Sequence, residues 1–485
     1  MPSLKIAMVS SEIHPFAKTG GLADVSGALG KYLDFRGHDV RLFMPYYDVL
    51  KHGESHFQPV DFLQNIPVAF NGFTLYFSVL TTTLPGCNAD VYFIHCEGLY
   101  NRGSIYTDHG DEYLRYALMC HATLLICQRM GWGPDIFHLN DWQCGLLPLL
   151  LKTHYQWDGL FSRSKTLLSI HNIGYQGVFS AEVVDKLNLG PYAMMIPQED
   201  LAGDMINYMK IGLVHSDRLS TVSTTYAWEI QTEEYGAGLH NLLRHFSHKL
   251  VGIVNGVDYE EWSPEADPYI PRHFSREDLS GKTDNKIALM KNLGLPYDPD
   301  APVYGIIARL TPQKGFQLLE PFLLDFVASR KMRLVVLGSG EGRFQHLFQH
   351  AQYHYPDKVC FYEGYNNALS HLIEAGSDMF IMPSQYEPCG LNQIYSLRYG
   401  TVPIVRKTGG LADTVQFYNW EDNSGTGFVF EYFNSDSLQW AMNYAHQTWH
   451  HKDSWRQLML NGMAQDFSWD RQVEEYIRLY REMVG

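Results

Sequence analysis

Short, nearly uninterrupted apolar runs alternate with stretches whose apolar residues recur every three to four positions. In the first half the runs fall at 5–10, 39–44, 90–95, 135–139, 165–170, 218–222 and 250–254. A strand buried on both faces has no solvent side to make polar, so these runs predict a parallel sheet covered by helices. One interruption, 66–70 and 74–80 joined by Asn71-Gly72, has the spacing of an inserted β-hairpin. The stretch 111–130 carries the 3.6-residue period of a helix. Between 256 and 300 the character changes: Asp258-Tyr259-Glu260-Glu261-Trp262-Ser263-Pro264 is followed by further prolines and by Asp298-Pro299-Asp300. The domain junction is placed here, and Asp298-Pro299-Asp300 reads as a turn rather than a metal motif. The alternation then resumes, with strands expected at 303–308, 333–337, 359–362, 379–382 and 402–405. A charged amphipathic helix, Trp469–Val484, closes the chain, and the pattern leaves its docking place open.

A chain of 485 residues is too long for one ordinary core, so two α/β domains are expected. Ligands of doubly wound sheets bind beyond the carboxyl ends of the strands, and residues just after strands are therefore the candidates for chemistry. The net charge of −16 argues against nucleic acid or an acidic membrane as the main partner, but not against a small anion in a locally basic site. Seven scattered cysteines without a C-x-x-C pair point to reduced thiols and a cytoplasmic location, as does a start that moves directly into a strand. No apolar window approaches the ~18 residues of a membrane span. Aromatic residues make up 14% of the chain, which suits sugar stacking as well as core filling.

One phrase occurs twice, as Lys18-Thr19-Gly20-Gly21-Leu22-Ala23-Asp24 and as Lys407-Thr408-Gly409-Gly410-Leu411-Ala412-Asp413. Each copy follows a strand-like run and precedes residues able to open a helix. Glycines permit tight turns and close approach of a ligand, where a Cβ would intrude. The unpaired N–H groups of a helix start favour an anion. Two similar turns are the plain alternative; with lysine at the same offset in both, a pair of ligand-facing loops is the preferred reading.

Further loops follow the expected strands. Arg309 and Lys314, flanking Pro312 and closed by Gly315, have the spacing to converge on a phosphate or diphosphate, or are solvated surface cations. Gly338-Ser339-Gly340-Glu341-Gly342 is read as a tight turn rather than a dinucleotide loop. Glu387, followed by Pro388 at an expected helix start, is either aimed into the crevice or merely complements the helix dipole. His138-Leu139-Asn140-Asp141-Trp142 and His171-Asn172-Ile173-Gly174-Tyr175 both read as sitting beyond strands, and together favour function over structure.

These stretches resemble the bacterial glycogen synthase and plant starch synthase family of retaining glucosyltransferases. The likeness rests on Glu12 with Lys18 to Asp24, Asn140-Asp141-Trp142, His171-Asn172 with Tyr175-Gln176-Gly177, and Asn255-Gly256-Val257-Asp258. It continues through Arg309-Leu310-Thr311 with Gln313-Lys314-Gly315, Gly364-Tyr365, Glu387-Pro388-Cys389-Gly390-Leu391 with Gln393, the second copy of the repeat, and Phe467-Ser468-Trp469-Asp470-Arg471. The resemblance implies the GT-B architecture: two doubly wound Rossmann-like domains facing across a deep cleft. Residues 1–257 would form the acceptor-side domain, 258–465 the nucleotide-sugar donor domain, and 466–485 a C-terminal helix for which the first domain is one docking place. It further implies transfer of glucose from ADP-glucose to the non-reducing end of an α-1,4-glucan, with retention, no metal and no cofactor; the partners are ADP-glucose and glycogen. Position by position, Lys18, Gly20 and Gly21 would meet the donor and Asp24 its nucleotide side. Arg309 and Lys314 would neutralise the leaving diphosphate, and Tyr365, Cys389, Gly390, Leu391 and Asn255 would line or adjoin the donor pocket. Glu387 and the main-chain carbonyl of His171 would face the glucose, and Asp141 would shape the acceptor side. Related two-lobed transferases place a second Glu eight positions after the first; here that position is Tyr395.

Two other readings are weaker. A nicotinamide dehydrogenase would want an acid ending the second strand, which instead ends Phe43-Met44-Pro45. A sugar-binding protein without catalysis has no use for Arg309 and Lys314 beside Glu387.

Overall fold

The computed structural model describes residues 2–50 and 56–485. The chain divides into two compact units: one takes up the residues to Val222, Ala227–Gly256 and Trp469–Gly485, the other Ser223–Tyr226 and Val257–Ser468.

The first unit is built on a ten-stranded sheet. Its seven parallel strands run, across the sheet, Leu250–Gly252, Arg218–Thr221, Lys165–Ile170, Ile136–Asn140, Lys5–Val9, Asp39–Pro45 and Asp90–His95. Phe73–Thr83 adds antiparallel to the last of these, and carries Ile66–Phe70 and the short Gln58–Pro59. The Asn71-Gly72 hairpin closes as its composition predicts, with Phe70 opposite Phe73 and Gly72 at φ +84. From Lys5–Val9 the chain builds outward on one side and then resumes on the other at Ile136–Asn140. The direction of winding therefore reverses between these two strands.

The six-stranded sheet of the second unit is wholly parallel, in the order Val359–Glu363, Arg333–Gly340, Val303–Leu310, Met379–Met382, Val402–Arg406 and Phe428–Phe430. Here the reversal lies between Val303–Leu310 and Met379–Met382. Both faces are covered, which explains the continuous apolar runs. Ile306, Leu334, Val336 and Ile381 pack with Phe316, Phe326, Phe344 and Trp449 on one side. Val303, Val335, Leu337 and Phe380 pack with Leu289 and Ile373 on the other. Each such side chain contributes about 1.5–3 kcal/mol when fully buried.

Two strands run further than the sequence suggests. Val303–Leu310 includes Arg309, and Arg333–Gly340 includes Gly338 and Gly340, so the glycine-rich stretch is strand rather than tight turn. Ladder pairing extends to Arg309↔Ser339 and Leu310↔Gly340. Glycine is required there because a Cβ on Gly338 would stand 2.1 Å from the Ala308 carbonyl oxygen.

The helix Trp469–Val484 packs within the first unit. Val473, Tyr476, Ile477 and Tyr480 are buried, and Arg36 pairs with Asp470 at 3.1 Å and Glu474 at 2.7 Å. Asp298 and Asp300 form a turn, with Asp300 N–H donating to the Asp298 side chain at 3.0 Å and Lys331 paired to both carboxylates. No helix among the described residues is long and apolar enough to cross a membrane.

Candidate functional site

Each sheet has a set of the residues singled out above in the loops at its reversal point, the place where open α/β sheets bind ligands. In the first unit the loop after Lys5–Val9 carries Glu12 and Lys18 to the start of the helix Gly21–Phe35. Glu12 is buried and accepts from the Thr19 hydroxyl at 2.6 Å, the Tyr106 hydroxyl at 2.5 Å, and the Thr19 N–H. That carboxylate ties down the turn leading to Gly20. Lys18 pairs with Asp24 at 2.7 Å in an exposed contact, a type that contributes little and yields readily to a competing anion. Gly20, the N-cap, has extended backbone and no side-chain cap, so the first N–H groups of a 15-residue helix are left for another partner. A Cβ on Gly20 would meet nothing within 4 Å. The space beside it is open.

Across the reversal point, Asp141 follows Ile136–Asn140 at φ +59 and ψ −174, a region otherwise almost reserved for glycine. This turn brings its carboxylate under the next strand end, where it accepts from the N–H of His171 at 2.7 Å and of Asn172 at 3.4 Å. Burial raises the Asp141 carboxyl to about 7 despite those two donors. His171 lies beyond Lys165–Ile170, and burial lowers its imidazole to about 3, so the ring is neutral near pH 7. Asn140 donates its amide to the Val9 carbonyl at 3.0 Å, leaving its oxygen to accept from His171 Nε2 at 2.8 Å. The tautomer is thereby set, with the Nδ1 lone pair unprotonated. His138 is different. It lies inside its strand, buried between the Tyr480 hydroxyl at 2.7 Å and Ser169 Oγ at 2.6 Å, and serves the core rather than a site. Asn255 is buried in the same unit, and its side-chain oxygen has no hydrogen-bond partner among the described residues.

In the second unit two loops meet at the reversal point. Lys314 stands in the turn after Val303–Leu310, and its Nζ lies 2.5 Å from Glu387 Oε2. Gly315, at φ +78, lets that turn reach the other loop: a Cβ there would stand 1.9 Å from the Pro383 carbonyl oxygen. Gln385 N–H donates to the Gln313 carbonyl at 2.8 Å, and the Gln313 amide to Tyr386 at 3.3 Å. Glu387 is buried and also accepts from Ser384 Oγ at 3.0 Å. Pro388 does not open a helix as expected, because the next one begins only at Asn392. Glu387 is positioned instead by the second copy of the repeat. Gly410 N–H donates to the Glu387 carbonyl at 3.1 Å, and a Cβ on Gly409 would stand 1.9 Å from that same oxygen. Arg309 is exposed and makes no ion pair or side-chain hydrogen bond among the described residues, so its charge is available. Tyr365 is 73% exposed, with its hydroxyl donating to Asn367 at 2.8 Å. Cys389 is buried as a free thiol, and Gly390 (φ +72) and the half-buried Leu391 lead into the helix Asn392–Arg398.

The two copies of the repeat have different surroundings. In the first, lysine pairs with the aspartate of its own copy beside open space. In the second, Lys407 pairs with Glu431 at 2.8 Å and both glycines pack on main chain. Asp413 accepts from the N–H of Thr225 at 3.0 Å and from its hydroxyl at 2.5 Å, which attaches Ser223–Tyr226 to this unit.

Residues 5–245 match the family model for the starch synthase catalytic domain, and 294–457 the model for glycosyl transferases group 1. Among curated relatives, the glycogen synthase of Thermotoga maritima is 41% identical over 99% of both chains. That of Anaeromyxobacter sp. is 42% identical over 99% of this chain and 100% of its own. The chain belongs to the glycogen synthase family. The catalytic domain of starch synthase IV from Arabidopsis thaliana, solved bound to ADP and acarbose, superposes with a TM-score of 0.91, 33% identity and complete coverage of both chains. The protein is thus a glycosyltransferase of the GT-B class, with two Rossmann-like domains.

Within this synthase family scaffold, the position eight residues after Glu387 holds no carboxylate. The Tyr395 ring stacks on Trp262 with centroids 3.9 Å apart, and Trp262 stacks in turn on His371 at 3.7 Å. Gln393 donates its amide to the carbonyls of Cys389 at 3.0 Å and Gly390 at 2.9 Å. Sequence reasoning assigned no role to Glu12, Tyr106 or Ser384. Glu12 stood inside a matching motif, but its partner Tyr106 lies 94 residues away, and no local signal joins them.

The Asp141 carboxyl makes a prediction about this synthase. Its folded value of about 7 lies above the usual carboxylate range, so folding takes up a proton and stability falls as pH climbs from ~4 to ~7. The full cost, on the order of 4 kcal/mol, is present above about pH 8. Asp141→Asn keeps an oxygen for the two N–H groups and removes the charge. It should flatten that slope and raise stability at pH 8, as urea melts at pH 5 and pH 8 will report. Equal slopes in the two proteins would show that Asp141 does not titrate in this range.

Proposed function

We propose that the protein elongates glycogen or a similar α-1,4-glucan, transferring glucose from ADP-glucose to the non-reducing end with retention at the anomeric carbon. The observation that carries this reading is in the second unit: Lys314 is held against Glu387 at 2.5 Å, in the turn that follows the strand bearing the exposed Arg309. As the anomeric C–O bond breaks, its electron pair goes to the diphosphate, and fixed cations stabilise the charge that gathers there. Lys314 and Arg309 take that role, Tyr365, Cys389, Gly390 and Leu391 contact the donor, and Asn255 is a further donor-binding residue. Lys18 and the uncapped helix start at Gly20-Gly21 supply positive potential toward the donor, with Asp24 holding its nucleotide side. Glu387 accepts hydrogen bonds from the glucose. The His171 main-chain carbonyl stabilises the oxocarbenium-like sugar, and Asp141, by holding that segment, shapes the acceptor side.

Retaining glycosidases place two carboxyl groups about the reacting bond. With Tyr395 in a ring stack where related transferases have a second Glu, the reading favours attack by the acceptor hydroxyl on the leaving-group face, its proton passing to the departing diphosphate oxygen. No metal or cofactor enters this scheme, so turnover should survive EDTA. The seven free thiols suit a cytoplasmic location.

Donor competition tests the proposal. Given glycogen with ADP-glucose or UDP-glucose, the protein should release ADP and lengthen the polymer in preference to using UDP-glucose. Folded protein that incorporates glucose from neither donor would overturn it.

A further inference from the structure

The second unit carries an aromatic surface that none of these roles uses. Phe417 is 47% exposed, Trp420 70% and Trp440 50%. Phe417 and Trp440 are contiguous, and Trp420 follows three residues after Phe417 on the same loop. Phe417 and Trp440 lie nearly parallel, 15° apart with centroids at 6.1 Å, and Tyr444 sits 6.1 Å from Phe417 and 5.8 Å from Trp440. Soluble proteins rarely leave such a patch uncovered without a use for it.

The platform is held in shape before anything binds. Trp440 and Tyr444 are four apart on one face of the helix Ser435–His450. Phe417 and Trp420 stand on a loop closed by hydrogen bonds from Tyr418 N–H to Gly427 at 2.8 Å and from Asn419 N–H to Ser424 at 3.0 Å. Tyr418 points inward, with its hydroxyl on Asn423 at 2.8 Å, which turns its neighbour Phe417 outward. Asn461 clamps the loop from beneath through the carbonyls of Asn423 at 2.8 Å and Gly425 at 3.0 Å. Little freedom is left to lose on binding.

The charge around the rings selects the ligand class. From 408 to 451 there is no lysine or arginine, while Glu421, Asp422 and Asp436 are exposed beside the aromatics. Such a surface repels phosphates and nucleic acid. It suits a neutral polyhydroxylated chain, whose C–H faces stack on rings while its hydroxyl groups donate to carboxylates at the rim. We propose that Phe417, Trp420, Trp440 and Tyr444 form a second α-glucan-holding surface, separate from the catalytic residues, that retains the polymeric acceptor. This rests on the glucan-elongating reading above.

The test compares the wild type with Phe417→Ala/Trp440→Ala and with Trp420→Ala. Migration in native gels containing glycogen gives an apparent Kd, and transfer to maltotriose gives a kcat that does not depend on polymer retention. Each variant should weaken the apparent Kd for glycogen, by about tenfold for the double variant. The kcat on maltotriose should stay unchanged, and Trp440→Phe should recover part of the retardation. Unchanged retardation in folded variants, judged by matching thermal melts, overturns the proposal. So does a wild-type dimer, seen by light scattering, that the substitutions dissociate, since a second copy of the chain would then be the occupant. Should the double variant lose its fold, Trp420→Ala alone decides, because that ring is largely in solvent. If no protein transfers glucose yet only the wild type is retarded, the catalytic reading fails while this surface stands.

Discussion

Lys314→Ala should lower turnover by about 10²–10³, the scale of one preorganised group facing the charge that develops in a transition state. The side chain is well placed for that role. It is mostly buried, and its turn is zipped to the loop bearing Glu387 through the close approach of Gly315 to Pro383 and the bond from Gln385 to Gln313. An ammonium so held needs little reorganisation when the diphosphate departs. Two consequences of its loss combine. The leaving group forfeits a cation, and Glu387, buried and 2.5 Å away, is left with Ser384 as its only side-chain partner among the described residues. ADP release at saturating donor and glycogen measures the effect, with a thermal melt to confirm the fold. Turnover within a few fold of wild type would remove Lys314 from the proposed mechanism.

The repeated phrase supports an equally large contrast between two identical substitutions. Gly409→Ala should destabilise the protein by about 3 kcal/mol or more and abolish most activity, because the new Cβ would stand 1.9 Å from the Glu387 carbonyl oxygen at φ +43. The obstructing atom is main chain and cannot swing aside; relief requires moving the Glu387 loop itself. Gly20→Ala should change stability by no more than ~0.5 kcal/mol, since its backbone is extended and nothing lies within 4 Å of the added carbon. Its effect should appear instead as a raised KM for ADP-glucose, since the donor is proposed to approach that open space. Melting temperatures and donor titrations of both variants report the difference. Equal stability losses at the two positions would contradict the distinction drawn between the copies.

Much of the fold was legible because burial on both faces of a sheet writes itself into consecutive apolar residues. Val303, Val335 and Phe380 meet one helical layer while Ile306, Val336 and Ile381 meet the other, so no polar alternation survives. Asn71-Gly72 was legible for a local reason, its backbone preference. The reach of the strands was less so. Arg309 and Gly340 look like loop residues, and they are strand only because Val303–Leu310 and Arg333–Gly340 pair to their ends. Similarly, nothing local attaches Ser223–Tyr226 to the second unit; Asp413, 188 residues from Thr225, does.

The chain's own pattern of residues was enough to determine two Rossmann-like sheets, the family, and the loops that follow the strands, since periodicity and backbone preference act over a few residues. It did not determine what each candidate side chain meets. His138 and His171 read alike, yet one is locked in a strand by Tyr480 while the other lies past a strand end. Lys18 and Lys407, at the same place in the same phrase, take different partners, and only the first copy leaves its glycine open to a ligand. Those outcomes depend on contacts between residues far apart in sequence, and such contacts exist only once the chain has packed.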